Sequence, residues 1–272
     1  TEMAKPRCRP IMSQNFSTQP KRLYPSASIR KPAMIEIIPH GNIHEIKLAR
    51  APVNALNYEL LDALVKAIEQ APGNGAQGIV LSGGVKVFSG GLDVPYLLAC
   101  NLEDLKACWM RFFDAARALA RSPIPVAAAI GGHSPAGGCV LALCCDYRVM
   151  AEGPFRIGLN ETQVGLVVPD SIQYLMRRIV GAHRAERLVV AGAMVEAQKA
   201  YDLGIVDQLA LQDYVVPAAL TWLQATTALP QGPQRITRAI ARADIIQALD
   251  GFDGIEMDKF MRGWYSDETQ QV

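Results

Sequence analysis

Apolar positions along this chain keep two rhythms, short unbroken runs and longer stretches that repeat every three to four residues. Ile35–Ile38 and Ile43–Leu48 flank His40-Gly41-Asn42 and predict two short strands joined by a turn. A loop over Arg50–Ala55 follows. Asn57 is placed to cap a helix running to about Gln70, with Leu60, Leu61, Leu64 and Ile68 on one face. Pro72-Gly73-Asn74-Gly75 ends it. Gly78–Ser82 is a short buried strand, and Phe88–Asp93 is a loop. Leu105, Trp109, Phe112, Ala116 and Leu119 recur at spacings of four and three, which predicts a helix from about Glu103 to Arg121. Ser122-Pro123-Ile124-Pro125 stops it, because proline disfavours helix in the residue before it.

The next stretch concentrates the chemistry. The run Val126–Ile130 leads into Gly131-Gly132. Ser134 then caps a small-residue helix, Ala136–Cys145, with Pro135 at its first position, where a missing N–H costs nothing. Gly137 and Gly138 leave the first turn's amides unshielded, and such a helix start suits an anion or a developing oxyanion. A second apolar run, Tyr147–Ala151, leaves the helix, and the chain reaches a lone carboxylate, Glu161. Beyond it, Gly165–Pro169 precedes a helix capped by Asp170 or Ser171 and broken at Gly181. A helix to about Ala191 and another over Glu196–Leu203 come next. Ile205–Asp207 is extended, and three helices close the chain: Asp213–Ala228, Pro233–Leu249 and Gly251–Tyr265. Strands alternating with helices, then helices alone, predict an α/β fold of sheet layers flanked by helices.

Composition narrows the function classes. The 272 residues suit one large domain or one and a half, and half of them are apolar. A formal net charge of +1 supplies no basic field for nucleic acid. The apolar runs fall far short of the roughly 18–20 residues that span a membrane. None of the six cysteines forms a Cys-x-x-Cys, which predicts reduced, buried thiols and a cytosol-like compartment. Residues 1–33 differ: seven Lys or Arg, five Pro and one acid, Glu2, predict a disordered basic extension, and also permit an organelle (mitochondrial) transit peptide. Met34 opens the folded part. No Gly-x-Gly-x-x-Gly or Gly-Lys-Ser/Thr motif argues for a dinucleotide or a nucleoside triphosphate. His40 and His44 flank a tight turn without a third ligand, so no metal site is expected there.

Four ordered blocks carry a resemblance: FSGGLD (88–93), PVAAAIGGHSPAGGCVLALCCDYRVMAE (125–152), IGLNETQVGL (157–166) and AYDLGIVD (200–207). Over about residues 35–260 the chain resembles the crotonase, or enoyl-CoA hydratase/isomerase, superfamily. HSPAGGC followed by GLNETQ looks most like the Δ3,Δ2-enoyl-CoA isomerases. The resemblance implies a spiral of ββα units forming two roughly perpendicular sheets over residues 34–210. It further implies a C-terminal helical region over 211–272 that builds homotrimers or dimers of trimers. The implied substrate is an acyl-CoA thioester, with coenzyme A part of the substrate and no other cofactor. The thioester carbonyl would accept from the backbone N–H groups of Ser89 and Gly137. Gly90, Gly91, Leu92 and Asp93 would lie along the substrate, and Asn160 would touch it or fix the turn.

Hydratases of this superfamily carry two glutamates. One follows the Cys of the GGGC block, where this chain has Val140; Glu161 keeps the other. Adding water needs one group to activate the water and another to manage the α-proton. Moving a double bond from C3 to C2 needs only a shuttle from C2 to C4, which one carboxylate performs if the dienolate is held. The sequence therefore favours an isomerase of fatty-acid β-oxidation, with Glu161 as the shuttle, its pKa raised by Ile157, Leu159 and Val164. The other readings are a low-activity hydratase, a hydrolase or decarboxylase on another acyl-CoA, and a non-catalytic CoA-binding protein. A serine hydrolase is the fourth: Gly132-His133-Ser134-Pro135-Ala136 nearly matches a nucleophile elbow, with Asp170 and His183 following, but Pro135 lacks the N–H that the elbow uses. Arg235, Arg238 and Arg242 would form a solvated helix face or a cationic rim for the CoA phosphates, and Trp264 and Tyr265 would cap the core or an interface.

Overall fold

The unbroken apolar runs become strands covered on both faces. In a computed structural model, which describes residues 33–252 and 254–270 (without the side chains of 268 and 270), β1 (Ile35–His40), β2 (Ile43–Leu48), β3 (Gly78–Ser82), β4 (Val126–Ile130), β6 (Tyr147–Ala151) and β9 (Gln208–Ala210) form one sheet. Its order is β1-β2-β3-β4-β6-β9. The β1–β2 pair is an antiparallel hairpin, and every later neighbour is parallel. Parallel strands need crossovers that cover the sheet, which is why β3 and β4 are buried at every position. Ile43, Val80, Ala127, Ala129, Val149 and Ala151 face helix α8 (Val215–Thr227) through Val215, Ala219 and Leu223. The alternate residues, among them Ile79, Leu81, Ala128, Ile130 and Met150, face the main core with α1 (Tyr58–Gln70) and α3 (Leu102–Arg121). Each fully buried Leu, Ile or Phe there is worth roughly 1.5–3 kcal/mol.

A second, three-stranded sheet takes one short strand from each later turn of the chain: β5 (Ser134–Pro135), β7 (Arg156–Gly158) and β8 (Val195–Glu196), in the order β5-β7-β8. Helix α4 (Gly137–Leu143), between β5 and β6, is buried at all seven positions. The remaining helices are α2 (Val94–Ala99), α5 (Asp170–Val180), α6 (Ala182–Val190), α7 (Ala197–Leu203), α9 (Gln231–Ala241), α10 (Ala243–Asp250), α11 (Gly254–Trp264) and α12 (Asp267–Gln270). Among the described residues no helix is long and apolar enough to cross a membrane. Residues 1–32 of the expected basic extension, and Cys8, lie outside the described residues. Cys100, Cys108, Cys139, Cys144 and Cys145 are free, and all but Cys100 are buried.

Several expectations need correction. Ser134 and Pro135 do not start a helix. They pair with Ile157 and Gly158 as β5, the Ala136 N–H donates to the Gly158 carbonyl at 2.9 Å, and α4 begins only after Ala136 turns through a positive φ of 43°. Neither Asp170 nor Ser171 caps α5. Pro169 holds the cap position, and Asp170 ion-pairs with Arg177 at 2.7 Å. The extended piece expected at 205–207 forms three residues later, as β9.

The helix expected over 233–249 is broken at Arg242, where the backbone departs from helical angles (φ −112°, ψ 4°). Two inward-facing arginines lie beside this break. Arg238 and Arg242 turn inward rather than line a solvated face or a cationic rim. Arg238 grips Asp146 through Nε and Nη2, both at 2.8 Å, and also donates to the Ser122 carbonyl. Arg242 reaches Asp146 at 3.0 Å and the Cys144 carbonyl. Asp146 Oδ2 also accepts the Val126 N–H at 2.8 Å, so one carboxylate ties the β4 start and the α4–β6 turn to the C-terminal helices. Arg235 alone of the three is exposed. An Asp146→Ala substitution leaves one buried and one half-buried guanidinium group without their acid. Denaturant unfolding should show a loss of about 3–5 kcal/mol; a loss below about 1 kcal/mol would mean that the network contributes little.

Candidate active site

The site is built where two loops meet the start of α4. The Phe88–Asp93 loop is laced to the Arg50–Asn57 segment mostly through main-chain groups. Gly90 N–H donates to the Val53 carbonyl at 2.8 Å, Leu56 N–H to Gly91 at 2.8 Å and Asp93 N–H to Leu56 at 3.0 Å. Asn54, itself at φ 50°, donates from its side chain to the Phe88 carbonyl at 3.0 Å, and Ser89 Oγ donates back to Asn54 O at 2.8 Å. Arg50 closes the bundle on Asp93 at 2.6 Å and on the Ala55 carbonyl at 2.7 Å. Asp93 Oδ1 meanwhile caps α2 by accepting the Tyr96 N–H at 3.1 Å.

Against this loop sits α4, closer than side chains allow. A Cβ on Gly138 would fall 2.6 Å from the Ser89 carbonyl oxygen, so only glycine fits there. Gly91, at φ 81°, meets the other side, where an added Cβ would lie 3.3 Å from the Gly137 nitrogen. The backbones of Ser89–Gly91 and Gly137–Gly138 are thus neighbours. Among the described residues, no protein acceptor takes the Ser89 or the Gly137 N–H.

A cavity of about 150 Å³ opens beside them. Gly90, Leu92, Gly137, Asn160 and Glu161 line it; Ser89, Gly91 and Asp93 do not. The rest of its lining is apolar, including Leu97, Trp109, Phe112, Ile172, Phe260 and Trp264. Glu161 is the only acid among the lining residues. It opens the 3₁₀ turn Glu161–Val164 and is 8% exposed. Burial pushes its carboxyl from an ordinary 4.5 up to about 7, and its own N–H offsets this only in part. Glu161 Oε2, Asn160 Oδ1 and Trp109 Nε1 are buried without hydrogen-bond partners, three such atoms around one cavity. Each leaves roughly 1–3 kcal/mol uncompensated unless something in the cavity bonds it.

Ser134, Asp170 and His183 are not brought together. Ser134 is fully buried with no partner, whereas Asp170 pairs with Arg177 and His183 is exposed. His40 bonds Glu45 at 2.8 Å, and among the described residues no group of three or more His, Cys, Asp or Glu is arranged to hold a metal ion. Sequence reasoning missed Arg50, Asn54 and α2. The signal for α2 was available, an Asp followed closely by Pro, which marks a helix start. Trp109 and Phe112 had been assigned to the core alone.

A family model described as enoyl-CoA hydratase/isomerase matches residues 39–259. The chain belongs to that family. It is 33% identical over 200 residues to human mitochondrial enoyl-CoA delta isomerase 1, covering 72% of this chain and 66%, just under two thirds, of that protein. A probable enoyl-CoA hydratase of Mycobacterium avium is 30% identical over 176 residues, covering 64% of this chain and 68% of the relative. The crystal structure of human mitochondrial delta3-delta2-enoyl-CoA isomerase superposes with a TM-score of 0.84 at 29% identity, covering 88% of this chain and 95% of that one. The fold is the crotonase fold of this family.

The raised pKa sets a sign. Folding binds a proton at Glu161 more tightly than the unfolded chain does, so that contribution is present below pH 4.5 and is lost as pH rises through about 7. Glu161→Gln removes the burden of the buried charge. Its stability relative to the natural protein should rise between pH 5 and pH 8 by up to roughly 3 kcal/mol. Equal differences at both pH values in urea unfolding would contradict a buried, neutral-leaning Glu161.

Proposed function

We propose that this protein is a Δ3,Δ2-enoyl-CoA isomerase that moves the double bond of a 3-enoyl-CoA thioester to the 2-position, in fatty-acid β-oxidation. The observation that carries this reading is a single buried carboxylate, Glu161, in an apolar cavity that also holds the start of α4. The Glu161 carboxylate takes the C2 proton of the substrate. The freed C–H pair forms a C1–C2 double bond while the carbonyl π pair moves onto the thioester oxygen, giving a dienolate that keeps the C3–C4 double bond. The N–H groups of Ser89 and Gly137 hold that oxygen; one such donor is worth roughly 3–4 kcal/mol in the transition state. The same proton then returns from Glu161 to C4, leaving the double bond conjugated with the thioester. A carboxyl that titrates near 7 suits both halves, since it accepts and releases the proton with little bias at neutral pH.

The reading needs no metal or redox cofactor. Val140, where hydratases of the superfamily carry their other glutamate, leaves no second acid to activate water, and this supports isomerase over hydratase. The resemblance to a probable hydratase keeps hydration as the competing activity. Ile236 and Ile240, one turn apart on α9 and 65% and 73% exposed, support an assembly of several copies, a homotrimer or dimer of trimers. The compartment is cytosolic, or mitochondrial if residues 1–33 act as a transit peptide.

Incubation with cis-3-hexenoyl-CoA should raise UV absorbance as the double bond conjugates, and Glu161→Gln should lower kcat by about 10²–10⁴-fold. No rise, with CoA-ester binding intact by calorimetry, would remove the isomerase reading, and quantitative formation of a 3-hydroxyacyl product from a 2-enoyl ester would install the hydratase. In the natural protein kcat/KM should fall as pH drops below about 7, because the base must be ionised. A profile flat from pH 5.5 to 8 would exclude Glu161 as that base.

A further inference from the structure

The far wall of the Glu161 cavity is made by α11. Phe260 and Trp264 stand four residues apart on one face of that helix, so their side chains are neighbours. They are 8% and 2% exposed. Trp109 of α3 backs them, with ring centroids 4.3 Å from Phe260 and 6.3 Å from Trp264. Leu166, Val167 and Pro169 complete the wall. These same five residues, Leu166, Val167, Pro169, Phe260 and Trp264, also line a second cavity of about 250 Å³, bounded beyond them by Phe252, Glu256, Lys259 and Gly263. Two chambers therefore share one partition, and only the smaller holds Glu161.

Size decides what the smaller chamber takes. Its volume of about 150 Å³ is that of a cavity that takes one benzene, roughly six heavy atoms. We infer that Phe260 and Trp264 act as a chain-length stop. The site accepts short acyl thioesters of about six carbons, and longer chains are turned away by the partition that closes off the second chamber. The inference rests on the acyl-thioester reading above. Its chemistry is that of a tightly packed wall. Close-packed rings yield little to an added methylene, whereas removing an indole joins the two spaces and gives a longer chain somewhere to go.

The test is a kcat/KM series on 3-enoyl-CoA esters of 6, 8, 10, 12 and 14 carbons. The natural protein should lose at least tenfold between 6 and 12 carbons. Trp264→Ala should raise the 12-to-6-carbon ratio at least tenfold, and Phe260→Leu should move it less, in the same direction. The ratio is taken on one protein sample, so a partly unfolded variant lowers both rates and leaves it unchanged; Trp264→Leu serves if the alanine variant does not fold. A flat profile in the natural protein, or a ratio unmoved by either wall substitution, overturns the inference. Calorimetry with saturated acyl-CoA esters from hexanoyl to tetradecanoyl reads the wall without chemistry. Affinity that falls with length and is restored by Trp264→Ala, with no 3-enoyl ester turned over, keeps the stop and removes the isomerase. No binding of any acyl-CoA overturns both.

Discussion

Everything at the site depends on two stretches of backbone lying in contact. The Ser89 carbonyl sits where Gly138 would carry its Cβ, and Gly91 turns at a positive φ beside Ala136 and Gly137. Without side chains between them, two segments nearly fifty residues apart present their amides within one small volume. Helical propensity would not place glycines at the head of a buried helix. Their weakness as helix formers is outweighed by the seven buried positions of α4 and by the pairing of β5 with β7 that holds Ala136.

That contact would drift if it hung on the glycines alone. The lacing of the 88–93 loop to the 50–57 segment prevents it. Three of its six bonds run main chain to main chain, and its two charged members, Arg50 and Asp93, answer each other. Asp93 spends its carboxylate on Arg50 and on the α2 cap, which makes it a fixing group rather than a reacting one. Glu161 is the opposite case: buried, held by no other side chain, and set among hydrocarbon. Asp93 and Asp146 are held by arginines and tie segments together, whereas one oxygen of Glu161 is left unpaired in the cavity.

Much of this was legible in the residues. The β1–β2 hairpin, the Asn57 cap and the buried runs of β3 and β4 follow from patterns that span only a few neighbours. Glu161, Gly137, Gly90 and Leu92 were named in advance and line one cavity. Two of the failures share a cause, since each depended on a distant partner. Ser134-Pro135 has the local form of a helix start, yet β7, more than twenty residues on, claims it as a strand. Arg238 and Arg242 have the local form of a solvated face, yet both turn inward onto Asp146 beside the break between α9 and α10. The aromatic wall was legible only as hydrophobic periodicity, because nothing in the spacing of Trp109, Phe260 and Trp264 says that they meet.

The position of that wall in the chain has a consequence for synthesis. The loop, the α4 start and the carboxylate all come from residues 88–161, whereas Phe260 and Trp264 come more than ninety residues later. Domains emerge from the ribosome amino end first. Until α11 packs against α3, the cavity between the α4 start and Glu161 lacks its aromatic roof. For this part of the molecule, docking of α11 is the step that completes the chamber wall.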